Sequence, residues 1–318
     1  MGPTGSGKTQ LSLLLAKCLK AEIISADSMQ VYRGMDIGTA KPSRSERRRV
    51  RHHLLDIVSP RFHFSVAEHR RRALGALKKC RAPVALVVGG SGLYVQSLWK
   101  GISDLPGASA RLRKQLEKES DEFGSHFLHA KLKKIDPLRA DSIHPNDGRR
   151  IIRALEIALV SGQKPSEGRR RVKGLEELGY SIRIFGIHRD RSELYERINE
   201  RVKAMFRQGW VNEVKRLKRI GFSKTAGQAL GYREILQRLC ETATSGPFGP
   251  KARREGGRNN LKNSSHELIR IIQTRTRQFG KRQLTWFRRE KGIEWIPWHR
   301  GESARNVCDK IMSAYGKR

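Results

Sequence analysis

The 318-residue chain has few acidic residues: 31 Asp and Glu stand against 66 Lys and Arg, for a formal net charge of +35. This surplus predicts a polyanionic partner such as a nucleic acid, with an anionic membrane surface as the competing partner. Long apolar runs are also missing. No segment approaches the ~20 residues that span a bilayer, and no signal-peptide pattern precedes the first motif. The sequence therefore predicts a soluble, cytoplasmic protein, with a monomer as the default state.

Cysteine is scarce as well, with four residues at positions 18, 80, 240 and 308 and no Cys-x-x-Cys pair. This spacing argues against a structural zinc site or a redox dithiol. The ten histidines, including the adjacent pair His52 and His53, show no metal-ligand spacing with cysteines or carboxylates. An apolar content of 37% and five tryptophans are nevertheless enough for a folded globular protein.

The first nine residues contain the pattern Gly-x-x-x-x-Gly-Lys-Thr. This is the nucleotide-binding P-loop pattern, whose backbone N–H groups hold the phosphates of ligands such as ATP, at the start of a helix. We expect Lys8 to reach the outer phosphates and Thr9 to be a ligand of Mg2+. The predicted phosphate-binding residues are Gly2, Pro3, Thr4, Gly5, Ser6, Gly7, Lys8 and Thr9.

Strand and helix patterns alternate along the rest of the chain. Leucines recur at helical spacing over 9–20, and short apolar runs at 22–26, 84–88 and 182–187 predict strands. This alternation predicts an α/β fold with a parallel sheet flanked by helices. Residues 1–110 and 180–318 should form the P-loop core with C-terminal helices, and 111–179, charged and helical in pattern, should form an insertion. Glycine, proline and polar residues dominate 242–265, which predicts a flexible loop.

The acidic residue expected of a nucleotide hydrolase at a neighbouring strand end is missing, because the run 84–88 leads into Gly89 and Gly90. A carboxylate follows the strand 22–26 instead, as Asp27. Ligands bind beyond the carboxyl ends of parallel strands, so Asp27 should face the same crevice as the phosphates and could act as a base. A turn-capping role for Asp27 is equally compatible with the sequence.

A series of motifs in order along nearly the whole chain resembles the tRNA dimethylallyltransferase (isopentenyltransferase) family. The matching segments are the P-loop at 2–9, DSMQVYRGMDIGTAKP at 27–42, GGSGLY at 89–94, IHPND at 143–147, RALE at 153–156, GYRE at 231–234, and TR followed by KRQLTWF within 276–287. The resemblance implies an enzyme that transfers a prenyl group from dimethylallyl diphosphate to N6 of the adenosine immediately 3′ of the tRNA anticodon. The P-loop would then hold a leaving diphosphate, with Mg2+ as cofactor.

The resemblance also implies roles for individual residues. Asp27, Thr9 and Arg201 would be catalytic, with Asp27 as the base; for Arg201 an ordinary charge on a helix surface is the alternative. The tRNA-contacting positions that the resemblance implies are Asp27, Ser28, Met29, Gln30, Ser91, Arg113, Arg149, Arg150, Ile151, Ile152, Arg153, Gln228, Ala229, Leu230, Gly231, Tyr232, Arg233, Lys281, Arg282, Gln283, Leu284, Thr285, Trp286, Phe287 and Arg288. Trp286 and Phe287 could stack on bases or pack an amphipathic helix into the core.

Two departures from the family pattern accompany these matches. The family has an apolar strand before the P-loop, whereas this chain begins at the loop, which predicts either a start codon further upstream or a weakened fold. Ser91 stands where the family usually has threonine, and it keeps the hydroxyl. The alternatives to tRNA prenylation are prenylation of a free adenine nucleotide, an RNA-dependent ATPase or kinase, and a basic RNA-binding protein whose P-loop is disabled.

Overall fold

A computed structural model describes residues 1–103, 106–107, 109–167, 171–244 and 257–316. The chain forms two compact units: Met1–Trp99 with Tyr180–Arg318, and Lys100–Gly179. The sequence analysis placed the insertion at 111–179, whereas the structure groups residues from Lys100 onwards with the second unit.

The first unit begins with alternating helices and strands around a parallel sheet. Its elements are α1 (Lys8–Cys18), β1 (Glu22–Ser25), α2 (Arg44–Arg49), β2 (His52–His53), α3 (Val66–Lys79), β3 (Ala85–Val88) and α4 (Gly92–Trp99). The strand order is β2-β1-β3, with Ile23 opposite Leu86. All four β1 residues are buried, as expected of a central strand covered on both faces. The predicted parallel sheet is therefore confirmed, with strands at the first two predicted positions.

The second unit is mostly helical. It consists of β4 (Ile102–Ser103), α5 (Ala110–Ile135), α6 (Pro137–Asp141), α7 (Gly148–Ser161), β5 (Arg171–Val172) and a short 3-10 turn at Glu176–Leu178. Strands β4 and β5 pair in antiparallel fashion, which ties the two ends of the unit together. Its core contains the apolar stripe of α7, including Ile151 and Leu155, packed against Leu116, Leu128 and Leu132 of α5. Gly162 follows the last residue of helix α7 as its C-cap and adopts a left-handed conformation that glycine accommodates.

The chain then completes the first unit. The remaining elements are β6 (Phe185–His188), α8 (Arg191–Arg207), α9 (Trp210–Ile220), α10 (Lys224–Gly227), α11 (Tyr232–Thr244), α12 (Gly257–Arg288), β7 (Glu294–Pro297) and α13 (Ala304–Gly316). The strand predicted at 182–187 begins only at Phe185, because its limits follow its parallel pairing with β7. Backbone hydrogen bonds also join Met1 to this strand, from the terminal amine to the Phe185 carbonyl (2.5 Å) and from Ile187 N–H to the Met1 carbonyl (2.9 Å).

The loop prediction for 242–265 was too wide. Helix α11 continues to Thr244 and α12 begins at Gly257. Helix propagation is cooperative, so a long packed helix extends into flanking sequence that lacks apolar periodicity. The rest of the predicted loop, 245–256, lies outside the described residues. Within the described ranges, no helix is long and apolar enough to cross a membrane.

Candidate active site

The P-loop runs from the start of the first unit into α1, and two arginines hold its backbone. Arg189 Nε donates to the Ser6 carbonyl (3.0 Å), and Arg197 Nε donates to the Gly5 carbonyl (2.9 Å). Arg189 is buried and is itself held by an ion pair with Glu193. Because these carbonyls point towards the arginines, the loop has a fixed backbone orientation. The sequence analysis missed both arginines, since neither belongs to a recognisable spacing pattern.

Gly5 and Gly7 are required by conformation as well as by space. Both adopt left-handed backbone angles, with φ of 82° and 95°. A Cβ atom on Gly5 would lie 2.9 Å from Cγ1 of Ile198, and one on Gly7 would lie 2.8 Å from the ring of Trp298. Trp298 in turn lies under the Arg189 guanidinium, whose carbon is 3.8 Å from the ring centroid. The loop is therefore packed closely against α8 and the residue that follows β7.

Lys8, Arg201 and Asp27 form an electrostatically coupled group. Burial and, after it, the charge of Arg201 lower the pKa of Lys8 to about 7, while Asp27 opposes the shift. Burial also lowers the pKa of Arg201, and Asp27 again opposes the shift. The carboxylate therefore lies near enough to both cations to interact with them electrostatically, which is compatible with the strand-end argument. Arg201 is partly buried, which disfavours the alternative of an ordinary helix-surface charge.

Asp27 has the turn-capping role that the sequence left open, and its geometry is compatible with the other role, as a base. One carboxylate oxygen, Oδ1, accepts hydrogen bonds from the backbone N–H groups of Met29 (2.8 Å) and Gln30 (3.3 Å). This is an Asx turn, which fixes the side chain just beyond β1. The side chain is half-buried, and no hydrogen bond to Oδ2 is made within the described part of the chain. The capping contact therefore orients the carboxylate and leaves its second oxygen available to a substrate.

The end of β3 lies beside Asp27 at the same edge of the sheet. Ser91 Oγ accepts a hydrogen bond from the Ser28 backbone N–H (3.1 Å), which ties the two strand ends together. A Cβ atom on Gly89 would lie 2.1 Å from the Ala26 carbonyl oxygen. A carboxylate-bearing residue has no room there, which gives the physical reason for the glycine at this strand end.

Two hydroxyl groups of the P-loop have capacity for a ligand. Ser6 is fully buried, and its Oγ has no hydrogen-bond partner among the described residues. The Thr9 hydroxyl likewise makes no hydrogen bond within those residues, although its backbone carbonyl accepts one from Ser12. The Lys8 ammonium donates to the loop's own Pro3 carbonyl at 2.6 Å. An orphaned buried hydroxyl inside an anion-binding loop is what a phosphate oxygen would satisfy.

The motif segment 36–42 has a structural role that sequence reasoning did not identify. Buried Glu213 accepts hydrogen bonds from the backbone N–H groups of Asp36 (3.0 Å) and Ile37 (2.8 Å) and from the Tyr232 hydroxyl (2.6 Å). Burial, reinforced by the charge of Glu213, raises the pKa of Tyr232 and keeps the phenol neutral. Lys41 is buried and forms ion pairs with Asp36 (2.7 Å) and Asp56 (2.6 Å). These contacts fix the loop that follows Asp27–Gln30.

The predicted RNA-contacting residues of the first unit divide by exposure. Gln228, Arg233, Lys281, Arg282, Thr285 and Arg288 are exposed, and their RNA contacts remain predictions. Ala229, Gly231, Tyr232 and Phe287 are buried and pack the core. Trp286 is half-buried, and its ring fills the space where a Cβ on Gly92 would stand, 2.4 Å away. For both aromatics the geometry therefore favours packing over base stacking.

The remaining predicted residues lie in the second unit. Arg149 and Arg150 are exposed at the start of α7, whereas Ile151 and Ile152 are buried. Arg113 and Arg153 both pair with the buried carboxylate of Glu156, and Arg153 also donates to the Pro106 carbonyl (2.9 Å). Burial of Ile151 and Ile152 restricts the prediction of direct RNA contact in this segment to the arginines.

Comparisons with known proteins show the family of this chain. The family model described as IPP transferase matches residues 30–290. A tRNA dimethylallyltransferase of Geobacter metallireducens is 42% identical over 302 residues, covering 93% of this chain and 91% of the relative. The crystal structure of the tRNA isopentenylpyrophosphate transferase of Bacillus halodurans is 36% identical, with a TM-score of 0.66 over 99% of this chain and 94% of the other. A eukaryotic dimethylallyltransferase structure, 24% identical with a TM-score of 0.73, covers 98% of this chain and 78% of that one and shares the fold. The chain belongs to the IPP transferase family.

Proposed function

We propose that this chain transfers the dimethylallyl group of dimethylallyl diphosphate to N6 of the adenosine on the 3′ side of the anticodon in tRNA, releasing diphosphate. The observation that carries the proposal is the electrostatic interaction of Asp27, just beyond the end of β1, with Lys8 of the P-loop and with Arg201. A proton acceptor close to an anion site is what alkylation of an amine by an allylic diphosphate requires. The curated relatives, named tRNA dimethylallyltransferases, support the same reaction.

In the proposed mechanism, a bond forms between the adenine N6 and the allylic carbon while the bond from that carbon to the diphosphate oxygen breaks. The loop N–H groups, Lys8 and Arg201 stabilise the charge that develops on the leaving diphosphate. Asp27 accepts the N6 proton through the oxygen that the Asx turn leaves available. An exocyclic amine is a weak nucleophile, so its orientation by Asp27 contributes much of the acceleration. The adenine must leave the base stack of the anticodon loop to reach this position.

The donor groups in the loop fit a magnesium ion. The described residues contain no cluster of three or more His, Cys, Asp or Glu side chains that could hold a metal by themselves. Mg2+ is commonly bound by one or two protein oxygens, with phosphate oxygens and water completing its octahedron. The Thr9 hydroxyl would hold it together with the substrate diphosphate. When bound, the ion would neutralise negative charge on the diphosphate.

The alternative functions have less support. Prenylation of free nucleotides and a non-catalytic RNA-binding role are not favoured by the relatives, which are named as tRNA-modifying enzymes. The net charge of +35 also suits a large RNA substrate better than a mononucleotide. The monomeric state and the cytoplasmic location remain predictions from the sequence.

Transfer of radiolabel from dimethylallyl diphosphate to a tRNA with adenosine beside its anticodon tests the proposal. We expect Asp27→Asn to reduce turnover by at least ~100-fold, the usual contribution of a positioned base, with little change in tRNA affinity. The amide keeps a carbonyl oxygen for the Met29 N–H, so the turn should survive. Asp309→Asn, at an exposed carboxylate of α13, serves as the matched control. Full turnover by Asp27→Asn would reject the base assignment, and no transfer by the folded wild-type protein would reject the function.

A further inference from the structure

Gln283 of α12 makes a two-ended contact at the P-loop. Its Oε1 accepts a hydrogen bond from the Thr4 backbone N–H (2.9 Å), and its Nε2 donates to the Gly90 carbonyl (2.7 Å). The contact leaves little space, since a Cβ atom on Gly90 would lie 2.6 Å from Nε2. Because both ends of the amide are bound, the side chain connects the P-loop directly to the loop that follows β3.

The loop after β3 extends this connection towards the proposed base. Ser91 is adjacent to Gly90 in sequence, and its hydroxyl accepts from the N–H of Ser28, the residue that follows Asp27. A movement of Gln283 would therefore displace both the loop that holds the diphosphate and the strand end that holds the carboxylate.

The helix that carries Gln283 is close to the P-loop on one side and basic on the other. A Cβ atom on Gly280 would lie 3.4 Å from the side chain of Ile198 in α8 and 3.8 Å from the side chain of Thr4, so α12 approaches the loop without an intervening layer. Lys281 and Arg282, directly before Gln283, are exposed. RNA phosphates that contact these two cations would therefore fix the position of the same helical turn that carries Gln283.

We infer that Gln283 is a positioning residue that couples RNA bound to the exposed side of α12 with diphosphate bound in the P-loop. This inference rests on the proposed function. When bound RNA fixes the position of α12, the Gln283 amide orders the backbone groups of Thr4 and Gly90. A bound diphosphate favours the same arrangement of these groups. Such coupling is reciprocal, so each ligand increases the affinity of the other by the same factor.

Calorimetry with a nonreactive dimethylallyl diphosphate analogue tests the inference. The dissociation constant of the analogue is measured with and without a saturating anticodon stem-loop RNA, for the wild type, Gln283→Met, Gln283→Glu and Gln278→Met. Met removes both hydrogen bonds, while Glu keeps the acceptor for Thr4 but loses the donor to Gly90. Gln278 is exposed on the same helix and provides the control.

We expect RNA to tighten analogue binding by about fivefold or more in the wild type and in Gln278→Met, the effect of roughly one net hydrogen bond. The ratio should fall to about one in both Gln283 variants. If Gln283 had a purely structural role, its substitution would weaken analogue binding equally with and without RNA. The ratio of the two dissociation constants would then be the same as in the wild type. A wild-type ratio of one, or an unchanged ratio in Gln283→Glu or in folded Gln283→Met, overturns the coupling alone. Failure of the wild type to bind the analogue at all overturns the proposed function and the coupling with it.

Discussion

The lowered pKa of Lys8 makes diphosphate binding dependent on pH. Burial and the neighbouring Arg201 bring the pKa of this ammonium group to about 7 in the ligand-free protein. A bound diphosphate places negative charge beside the group and raises the pKa again, since an opposite charge favours the protonated form. At pH 8 about 90% of Lys8 is neutral without ligand, one unit above its pKa. Binding at that pH should therefore take up close to one proton.

This proton uptake sets the slope of affinity against pH. If the pKa of Lys8 in the complex exceeds about 10, the affinity for a nonreactive prenyl diphosphate analogue falls about eight- to ninefold from pH 8 to pH 9, because nearly one proton enters on binding. The second ionisation of a phosphate monoester group lies near ~6, so the analogue contributes little to the slope in this range. The affinity should decrease as the pH rises, and should level off as the pH falls towards the ligand-free pKa of about 7.

Calorimetric titrations at pH 8 in buffers of different ionisation enthalpy measure the uptake directly. Lys8→Arg provides the matched variant, because a guanidinium group keeps its charge in this range and should bind the analogue with almost no proton uptake. Lys8→Met should weaken analogue binding at every pH, and its analogue affinity should no longer depend on pH in this range. An uptake near zero in the wild type, or an equal uptake in Lys8→Arg, would refute the assignment of the titrating group to Lys8.

Three further substitutions test the packing around the site. Gly7→Ala should lower the melting temperature more than Gly209→Ala and should also weaken analogue binding, because its Cβ meets a tryptophan ring at 2.8 Å. Gly209 has a similar φ of 92° but no close contact, so its substitution measures the left-handed backbone strain alone in thermal unfolding. Glu213→Gln should lower the free energy of unfolding by about 2 kcal/mol, since the buried carboxylate accepts several hydrogen bonds, whereas exposed Glu200→Gln should leave stability in denaturant titrations unchanged. Lys41→Met should cost about 2 kcal/mol, because it removes the buried ammonium that binds Asp36, Asp56 and the Tyr32 carbonyl, although Asp56 keeps Arg47 as a partner; a loss below ~0.5 kcal/mol would contradict this role.

Strands, helices and loops that depend on residues close together in the sequence could be predicted from local sequence patterns. The strand at 22–26, the P-loop and the helix after it follow from apolar runs and from glycine spacing, and the structure places β1 and α1 there. Asp27 could be placed beside the P-loop because parallel strands end at one edge of a sheet. The limits of β6 were not predictable in this way, since they depend on a partner, β7, that is distant in the sequence.

The RNA-contact prediction shows the same division. A motif match cannot separate residues that face solvent from residues that pack beneath them, because both can be specific to a family. Tyr232 and Phe287 are buried, whereas Arg233 and Arg288, their sequence neighbours, are exposed. Residues three or four positions apart share one face of a helix, whereas sequence neighbours point in different directions. Only the packed structure decides which face is covered.

The sequence alone determined the anion-binding loop, the parallel α/β pattern, the basic character and the family resemblance, because each is written in residue types at short or ordered spacings. The tertiary structure decided which distant side chains hold that loop. Arg189, Arg197 and Gln283 reach its backbone from α12 and from the chain around the start of α8, far along the sequence. Such contacts depend on how helices and strands pack, and this packing has no local signature in the order of the residues.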